Sequence, residues 1–357
     1  MISGLAVFNL PAQNFTILDF LKWEIDPESL GKGGSSTADG EGLFSIHNNP
    51  AHINQIKSWE FTYQYRPIPM LFVTNEGTYY SLAAAYRLNK ESSLGILWKY
   101  FGYELGYPEG ENQSSLIKPT NNKDFTVGLI YGIKFSEGIN AAAVVKYLRS
   151  ELYGVAATGW AIDLGFNGRN LFPSLTLEWD TPRIPELEIF RSGDEFRGLN
   201  WGAALLNAGP HMYYLVPEQK DPIPQRFRLG FAYQMIASSL VGLRTSFDFE
   251  KELVHQKGAT VDEFYQAWFT GWKGKTLKLA TYHVGLEICL GYILDLRFGL
   301  RYEPFQNYFN TTMLTFGVGI KLKYFSLQYG KWIDRENISS FYSDSYVVGI
   351  RIGEIKF

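Results

Sequence analysis

The chain has a single cysteine, Cys289, which excludes an intrachain disulfide and any CxxC metal site. It has no excess of positive charge. Thirty-three Lys and Arg stand against 36 Asp and Glu, a net charge of −3, and this leaves no electrostatic footprint for nucleic acid. Charged residues make up 19% of the chain, below the roughly 25% usual for a soluble domain. Long apolar runs are also missing. The longest, such as 288–294 with its glycine, fall far short of the ~18–20 residues that a spanning helix needs. There is no GxSxG, HExxH or Walker sequence. Residues 31–36 hold three glycines and a lysine but lack the P-loop spacing, and His47 and His52, five apart, make no zinc pattern. No metal, cofactor or catalytic residue is therefore expected, although an enzyme built from scattered strand-end residues remains an alternative.

What the chain does have is aromatic and glycine content. Aromatics are 16% of the 357 residues, and Gly numbers 35, which excludes disorder for want of apolar surface. Its length would suit two average domains, but barrels of this size form single units. The dominant pattern has period two. Trp59, Phe61, Tyr63 and Tyr65 alternate with Ser58, Glu60, Thr62 and Gln64, giving one aromatic and one polar face. The pattern recurs at 80–88, 94–100, 125–133, 141–147, 158–166, 199–205, 227–235, 241–249, 282–290, 294–302, 312–320, 325–329 and 346–352. These are about fourteen segments of roughly ten residues, as in an outer-membrane barrel. Such a barrel hides its apolar band in alternation, so the mean hydropathy of −0.13 does not argue against it.

Connection lengths give an independent test. Short turns near 89–92, 136–138, 236–239, 291–293 and 321–323 mostly alternate with long loops at 102–123, 208–225, 252–278, 303–310 and 331–343. Short turns suit the periplasm and long loops the exterior, so an even strand count puts both termini in the periplasm. Segment 168–197 breaks the order. It falls on the short-turn side, yet is long and carries Leu175, Leu177, Trp179, Leu187 and Ile189, so it is either a periplasmic hairpin or two more strands. A soluble sandwich or propeller would also alternate. Strand length, aromatic strand ends and the lack of a blade-length repeat favour the membrane.

The expected organisation is an all-β transmembrane antiparallel barrel over 58–357, an N-terminal plug over 14–57 and, over 1–13, either a truncated or mis-started signal peptide or a genuine mature start. The C-terminal Ile355 and Phe357 share a phase that differs from that of Val348 and Ile350, with Gly353 as a possible bulge between them.

Charges collect on the non-aromatic faces. A three-residue turn at 291–293 sets Glu287 opposite Arg297, and the 236–239 turn sets Arg226 opposite Asp248 or Glu250. These charges either anchor a plug as ion pairs or line a conduit. In the long loop 252–278, Val261, Phe264, Tyr265, Trp268, Phe269 and Trp272 recur at helical spacing. Thr260 and Glu263 are placed as a capping box, and Gly271 can end the helix, which predicts an amphipathic helix over 261–270. Its aromatic stripe, above all Phe264, Tyr265, Trp268 and Trp272, either packs on the rim as a lid or docks a partner.

The segment before the first strand reads Phe20-Leu21-Lys22, then Gly31-Lys32-Gly33-Gly34, Ala38-Asp39 and Asn49-Pro50-Ala51. It resembles the start of the PorV/PorQ family of outer-membrane proteins, relatives of FadL-type fatty-acid transporters. Those proteins show an "FLK" start, a "GMGG" stretch, an "ADD" step and an "NPA" before the first strand. Gly31, Gly33, Gly34, Asp39, Asn49, Pro50 and Ala51 match. Lys32 stands in place of methionine and Gly40 in place of the second acid, while the aromatic usual before "NPA" is missing. Leu206-Asn207-Ala208-Gly209 looks like the family's mid-barrel "NxG". The resemblance implies a fourteen-stranded barrel with an N-terminal plug and a part in type IX secretion, receiving exported proteins by their C-terminal domains. Its partners would be outer-membrane lipid and secretion-system proteins. Two other roles are a FadL-like channel for hydrophobic small molecules and a passive structural barrel.

Overall fold

The computed structural model describes residues 16–68, 77–105, 120–136, 138–178, 196–238, 240–257, 260–273, 279–291, 293–304, 310–322, 324–333 and 346–353. The expected leader over 1–13 and the terminal Ile355 and Phe357 lie outside them. Fourteen long strands form the wall: β1 Trp59–Ile68, β2 Gly77–Arg87, β3 Ser92–Leu105, β4 Thr120–Lys134, β5 Ile139–Leu152, β6 Val155–Leu171, β7 Gly198–Ala208, β8 Arg226–Ala237, β9 Val241–Glu252, β10 Thr281–Leu290, β11 Leu294–Pro304, β12 Asn310–Leu322, β13 Phe325–Ile333 and β14 Tyr346–Gly353. Each pairs antiparallel with the next, and β14 returns to β1 with Ile352 opposite Phe61, so the sheet closes and leaves no edge.

Alternation decides which face of each strand turns outward. On β1, Trp59 and Phe61 are exposed, whereas Glu60, Thr62, Gln64 and Arg66 are buried. On β5, Val145 and Tyr147 are exposed, while Val144 and Lys146 face in and are buried. The outward side is thus an apolar band and the inward side a mixed polar surface, the reverse of a soluble barrel.

The 168–197 segment adds no strand to the wall. β6 pairs directly with β7, Phe166 opposite Ala203. Pro173–Leu175 forms a 3-10 turn, and Leu177–Glu178 pairs in parallel with Ile236 and Ala237 at the end of β8. Pro173 can donate no ladder bond, and Trp179, Leu187 and Ile189 lie outside the described residues. A second departure lies between β5 and β6. Only Tyr153 and Gly154 join them at the long-loop end, with φ of 51° and 81°. Positive φ at both central residues is the geometry of a two-residue hairpin, whose twist matches its strands.

The helix in the loop after β9 is shorter than its periodicity predicts. It spans Phe264–Thr270 (α2, the plug helix below being α1). Val261 pairs instead with Gln256 in a small ribbon. The capping box is shifted accordingly: Glu263 is the N-cap and donates its backbone N–H to Gln266 Oε1 at 3.2 Å, so Thr260 has no part in it. Gly271 ends the helix as expected.

With the short-turn end expected in the periplasm, a cysteine at Glu218 should react with an impermeant maleimide on whole cells, in a Cys289→Ser background. One at Lys90 should react only after the outer membrane is permeabilised. Labelling of Lys90→Cys in intact cells would reverse the orientation.

Candidate functional site: the plugged lumen

Residues 16–57 run inside the barrel as a chain of short turns. Asp19–Lys22 is a 3-10 turn, Pro27–Gly31 a single helical turn (α1), and Gly42–His47 and Pro50–Gln55 are further 3-10 turns. Caps and breakers set these limits. Asp26 accepts from Glu28 N at 2.9 Å at the start of α1. Gly33 and Gly34 follow α1 with φ of 72° and 94°, which turn the chain back on itself. Asn49 Oδ1 accepts from Ala51 N at 3.1 Å, with Pro50 in the first position of the last turn.

A plug of turns leaves many backbone groups without intrasegment partners, and the wall supplies them. Asp248 Oδ2 accepts from Ser36 N at 3.0 Å and Thr37 N at 2.9 Å. Thr315 Oγ1 accepts from Gly33 N at 2.8 Å. Asn49 Nδ2 donates to Thr37 O at 2.8 Å and to Phe166 O at 2.9 Å, tying the glycine-rich stretch, the last turn and the wall together. Such contacts require the two backbones to meet closely, and inward-facing glycines permit it. A Cβ on Gly299 would lie 1.9 Å from Gly33 N, and one on Gly202 would lie 1.9 Å from Thr37 O. Gly317 faces Gly31, with 2.8 Å from a Cβ on either to the other's Cα. Gly299→Val should therefore destabilise the plugged state by about 1–3 kcal/mol or more through overpacking. The N-terminal segment should become open to proteolysis while the barrel still migrates as a folded band on unheated gels. Gly159→Val, whose added carbon first meets the flexible Met212 side chain at 2.7 Å and no plug backbone at closer range, serves as the control. Equal protease resistance in the two variants would refute the close-approach argument.

Most of the inward charges are paired, with one another and with the plug. Glu287 stands opposite Arg297 in the β10–β11 register, and Arg297 Nε lies 2.6 Å from Glu287 Oε2. Arg297 also meets Asp295 at 2.6 Å, Asp295 meets Lys321 at 2.9 Å, and Lys321 reaches Glu41 of the plug at 2.6 Å. Lys32 pairs with Asp39 at 2.7 Å within the plug, so the position that departs from the family pattern satisfies the acid that matches it. Of the two partners expected for Arg226, Glu250 is the one it meets. Arg226 takes Glu250 at 3.1 Å, and Asp248 takes Arg228 at 2.9 Å. Arg228 lies directly opposite Glu250 and Arg226 opposite Glu252, because a register shift at Leu243/Arg244 moves the hairpin from its simple two-strand count. Arg228 reaches into the plug as well, donating to Gly34 O and Asn48 Oδ1 at 2.5 Å each.

Two plug groups show what burial does here. Desolvation opposes the charge on Glu41, but Lys321 and Arg244 outweigh it and hold the carboxyl down at about 2. Burial, with Arg169 nearby, pushes His52 down to about 3, so it stays neutral. Arg297→Met alone should cost about 3 kcal/mol, since it takes the nearest partner from Glu287 and one of two partners from Asp295 in a desolvated lumen, leaving them Arg244 and Lys321. Adding Glu287→Gln should return part of that loss in heat-denaturation experiments. A double variant no more stable than the single would mean that the pair is solvated.

The lumen changes character towards the long-loop end. Ile17, Leu18, Phe20, Leu21, Ile25 and Leu30 of the plug pack there against inward-facing Ile68, Tyr79, Phe101, Leu148, Met313, Trp332 and Val347. Phe20 meets Tyr79 edge-on at 5.6 Å, and Trp23 meets Phe101 at 4.7 Å. Loop 209–225 closes over this cluster with Met212 and Ile223, and Ile17 N donates to Pro222 O at 3.0 Å. Lys99 marks its lower boundary. It is buried between Phe101 and Leu97 on the inner face of β3, opposite Ser81 and Thr126, and among the described residues nothing pairs with its ammonium. A second apolar cluster seats the later turns, Leu43, Ile46, Ile53 and Ile56, on Ala83, Leu97, Ile130 and Val144 of β2–β5.

The inner aromatic cluster is not among the site residues predicted from sequence. Its signal was nonetheless present: Tyr79 and Phe101 stand in the polar phase, with Ser81 and Lys99, and not in the aromatic phase of Tyr80 and Tyr100. Of the loop stripe, Phe264 meets Trp160 at 6.3 Å, and Trp272 meets Phe227 at 5.4 Å and Phe249 at 6.3 Å. Trp268 Nε1 donates to Gln225 Oε1 at 2.9 Å. Trp160, Phe227 and Phe249 are outward residues, and Gln225 ends the loop over the lumen, so the helix packs on the outer side of the rim.

No protein-family model matches the chain, and no curated protein matches it in sequence. Solved structures do share its fold. The CymD monoaromatic hydrocarbon channel is 12% identical with a TM-score of 0.56, covering 92% of this chain and 97% of its own. The toluene transporter TodX of Pseudomonas putida is 11% identical with a TM-score of 0.55, covering 95% and 98%. A Pseudomonas aeruginosa FadL homologue is 10% identical with a TM-score of 0.52, covering 95% and 99%. At such identities the likeness is one of fold alone. The chain has the closed fourteen-stranded fold of FadL-type outer-membrane barrels, which supports a place in a bacterial outer membrane.

Proposed function

We propose that this protein is a FadL-like outer-membrane channel for hydrophobic small molecules, that it is not an enzyme, and that both termini face the periplasm. The observation that carries the reading is the apolar cluster in the long-loop half of the lumen. A barrel that only needed a stopper could carry the charged network throughout. Here the wall devotes Tyr79, Phe101, Leu148, Met313 and Trp332 to an apolar lining, met by Phe20, Leu21 and Trp23 from the plug. An apolar molecule leaving water gains about 25 cal/mol for each Å² it buries in such a lining. The plug's first turns occupy the lining, so entry requires residues 16–25 to yield. Their side chains are held by apolar contact, and their backbone by Arg226, which donates to Leu21 O at 3.0 Å and Lys22 O at 3.3 Å, and by Arg66, which donates to Glu24 O at 2.7 Å, so these bonds must yield as well. The fold relatives named for monoaromatic hydrocarbons and toluene make toluene the first ligand to try.

A PorV/PorQ-type part in type IX secretion rests on the motif match in residues 20–51 and on Asn207-Ala208-Gly209. In this chain residues 20–51 serve plug-to-wall packing, which any plugged barrel requires, so the secretion reading stands second.

Cells making the protein should take up labelled toluene faster than cells with an empty vector. Phe101→Asp, which buries a carboxylate in the lining, should bring uptake down by about tenfold, towards background, while the folded-barrel gel band persists. Uptake equal to the empty vector would sink the channel reading. Recovery of secretion proteins from native outer membranes would then favour the second.

A further inference from the structure

We propose that α2 is a lipid anchor, its exposed aromatic face lying in the interfacial layer of the membrane at the long-loop end of the barrel. The inference rests on the reading of the chain as an outer-membrane barrel and goes beyond any transport role. One side of α2 is already committed to the wall. Ala267 is 3% exposed, Trp268 donates to Gln225, and Gln225 Nε2 donates back to Phe264 O at 3.2 Å. Phe264 and Trp272 lie on Trp160, Phe227 and Phe249, so the helix is held at both ends.

The other side has no protein against it among the described residues. Phe269 is 77% exposed and Tyr265 51%, and the two are four apart, on one helical face. Phe264–Thr270 contains no charged residue, while Asp262 and Glu263 precede it and Lys273 follows it. A short uncharged aromatic helix with charges only at its ends suits the boundary between headgroups and acyl chains. Trp and Tyr suit it further, since each has an apolar body and a polar tip.

Continuity identifies lipid as the occupant in preference to a protein. The residues beneath α2 belong to the outward band. Directly below them on the same strands come Phe231 and Phe247, paired across β8 and β9 and both exposed. Phe247 and Phe231 lead through Phe249 and Leu229 to Phe227, which with Phe249 packs on Trp272, three residues after Phe269. Lipid that covers the lower part of this column meets α2 at its upper end.

The test uses the full chain with Cys289→Ser, reconstituted in phosphatidylethanolamine–phosphatidylglycerol vesicles. A nitroxide is attached at Phe269→Cys, at Leu129→Cys in the outward band, or at Lys90→Cys in a short turn. Collision with oxygen is compared with collision with a water-soluble nickel chelate. The label at 269 should show an oxygen-to-nickel ratio about threefold or more above that at 90, and below that at 129, as for an interfacial depth. A ratio at 269 equal to that at 90 would overturn the anchor, leaving the face to water. Protection of 269 from both reagents would also overturn it, because protein from a second copy would then be the cover. Failure of 129 to read as lipid would remove the membrane reading itself and is thereby distinguishable.

Discussion

Close approach of the plug backbone to bare positions in the wall is the contact on which the rest of the lumen depends. A barrel of this width encloses more space than its own side chains fill. The space is closed by a chain of turns, whose amides and carbonyls cannot all satisfy one another. Gly299 and Gly202 let that backbone come within hydrogen-bonding range of the wall, and Asp248, Thr315 and Asn49 then bond it. Larger residues at those glycines would hold the plug away and strand both sets of polar groups.

Charge follows from the same geometry. Once the plug excludes water, each inward Arg, Lys, Asp and Glu must find a partner. The network running from Glu287 through Arg297, Asp295 and Lys321 to Glu41 spans wall and plug. Its net stabilisation is small, because desolvation opposes the Coulombic gain. Its main effect is to specify position, since only one placement of residues 32–49 pairs every member. The apolar half is constrained at its backbone, where Arg226 and Arg66 bond Leu21 O, Lys22 O and Glu24 O, but not at its side chains. Phe20, Leu21 and Trp23 meet their neighbours through non-directional contacts, which can be exchanged for contacts with an apolar ligand at little loss. The lumen thus has a fixed floor and a replaceable upper filling, which is the physical basis for reading it as a route for apolar molecules.

On the outside, the aromatic residues serve a different solvent. The outward band meets lipid along its whole height, and α2 extends it where the chain leaves the wall. The same residue types therefore do two jobs in one molecule: Phe101 and Tyr79 line the interior, while Phe227 and Phe249 face out.

The sequence by itself determined the wall. Period-two alternation is a local property of a pleated strand, so Trp59, Phe61 and Tyr63 reveal which face of β1 turns to lipid without reference to any other strand. Fourteen segments with turns between them then leave little choice but closure. The Glu287–Arg297 placement was legible for the same reason, since a three-residue turn fixes the register across one hairpin. For Arg226 the sequence left Asp248 and Glu250 open, and the register shift at Leu243/Arg244 goes with the choice of Glu250. The capping box of α2 moved to Glu263 because Val261 found a strand partner in Gln256. The motif residues of the plug could be named in sequence, but their roles could not. Gly33 opposite Gly299, Asn49 on Phe166 and Asp248 under Thr37 are contacts between positions far apart in the chain. Only tertiary structure brings them together, because what selects them is the volume and polarity of a space that exists only after the barrel has closed.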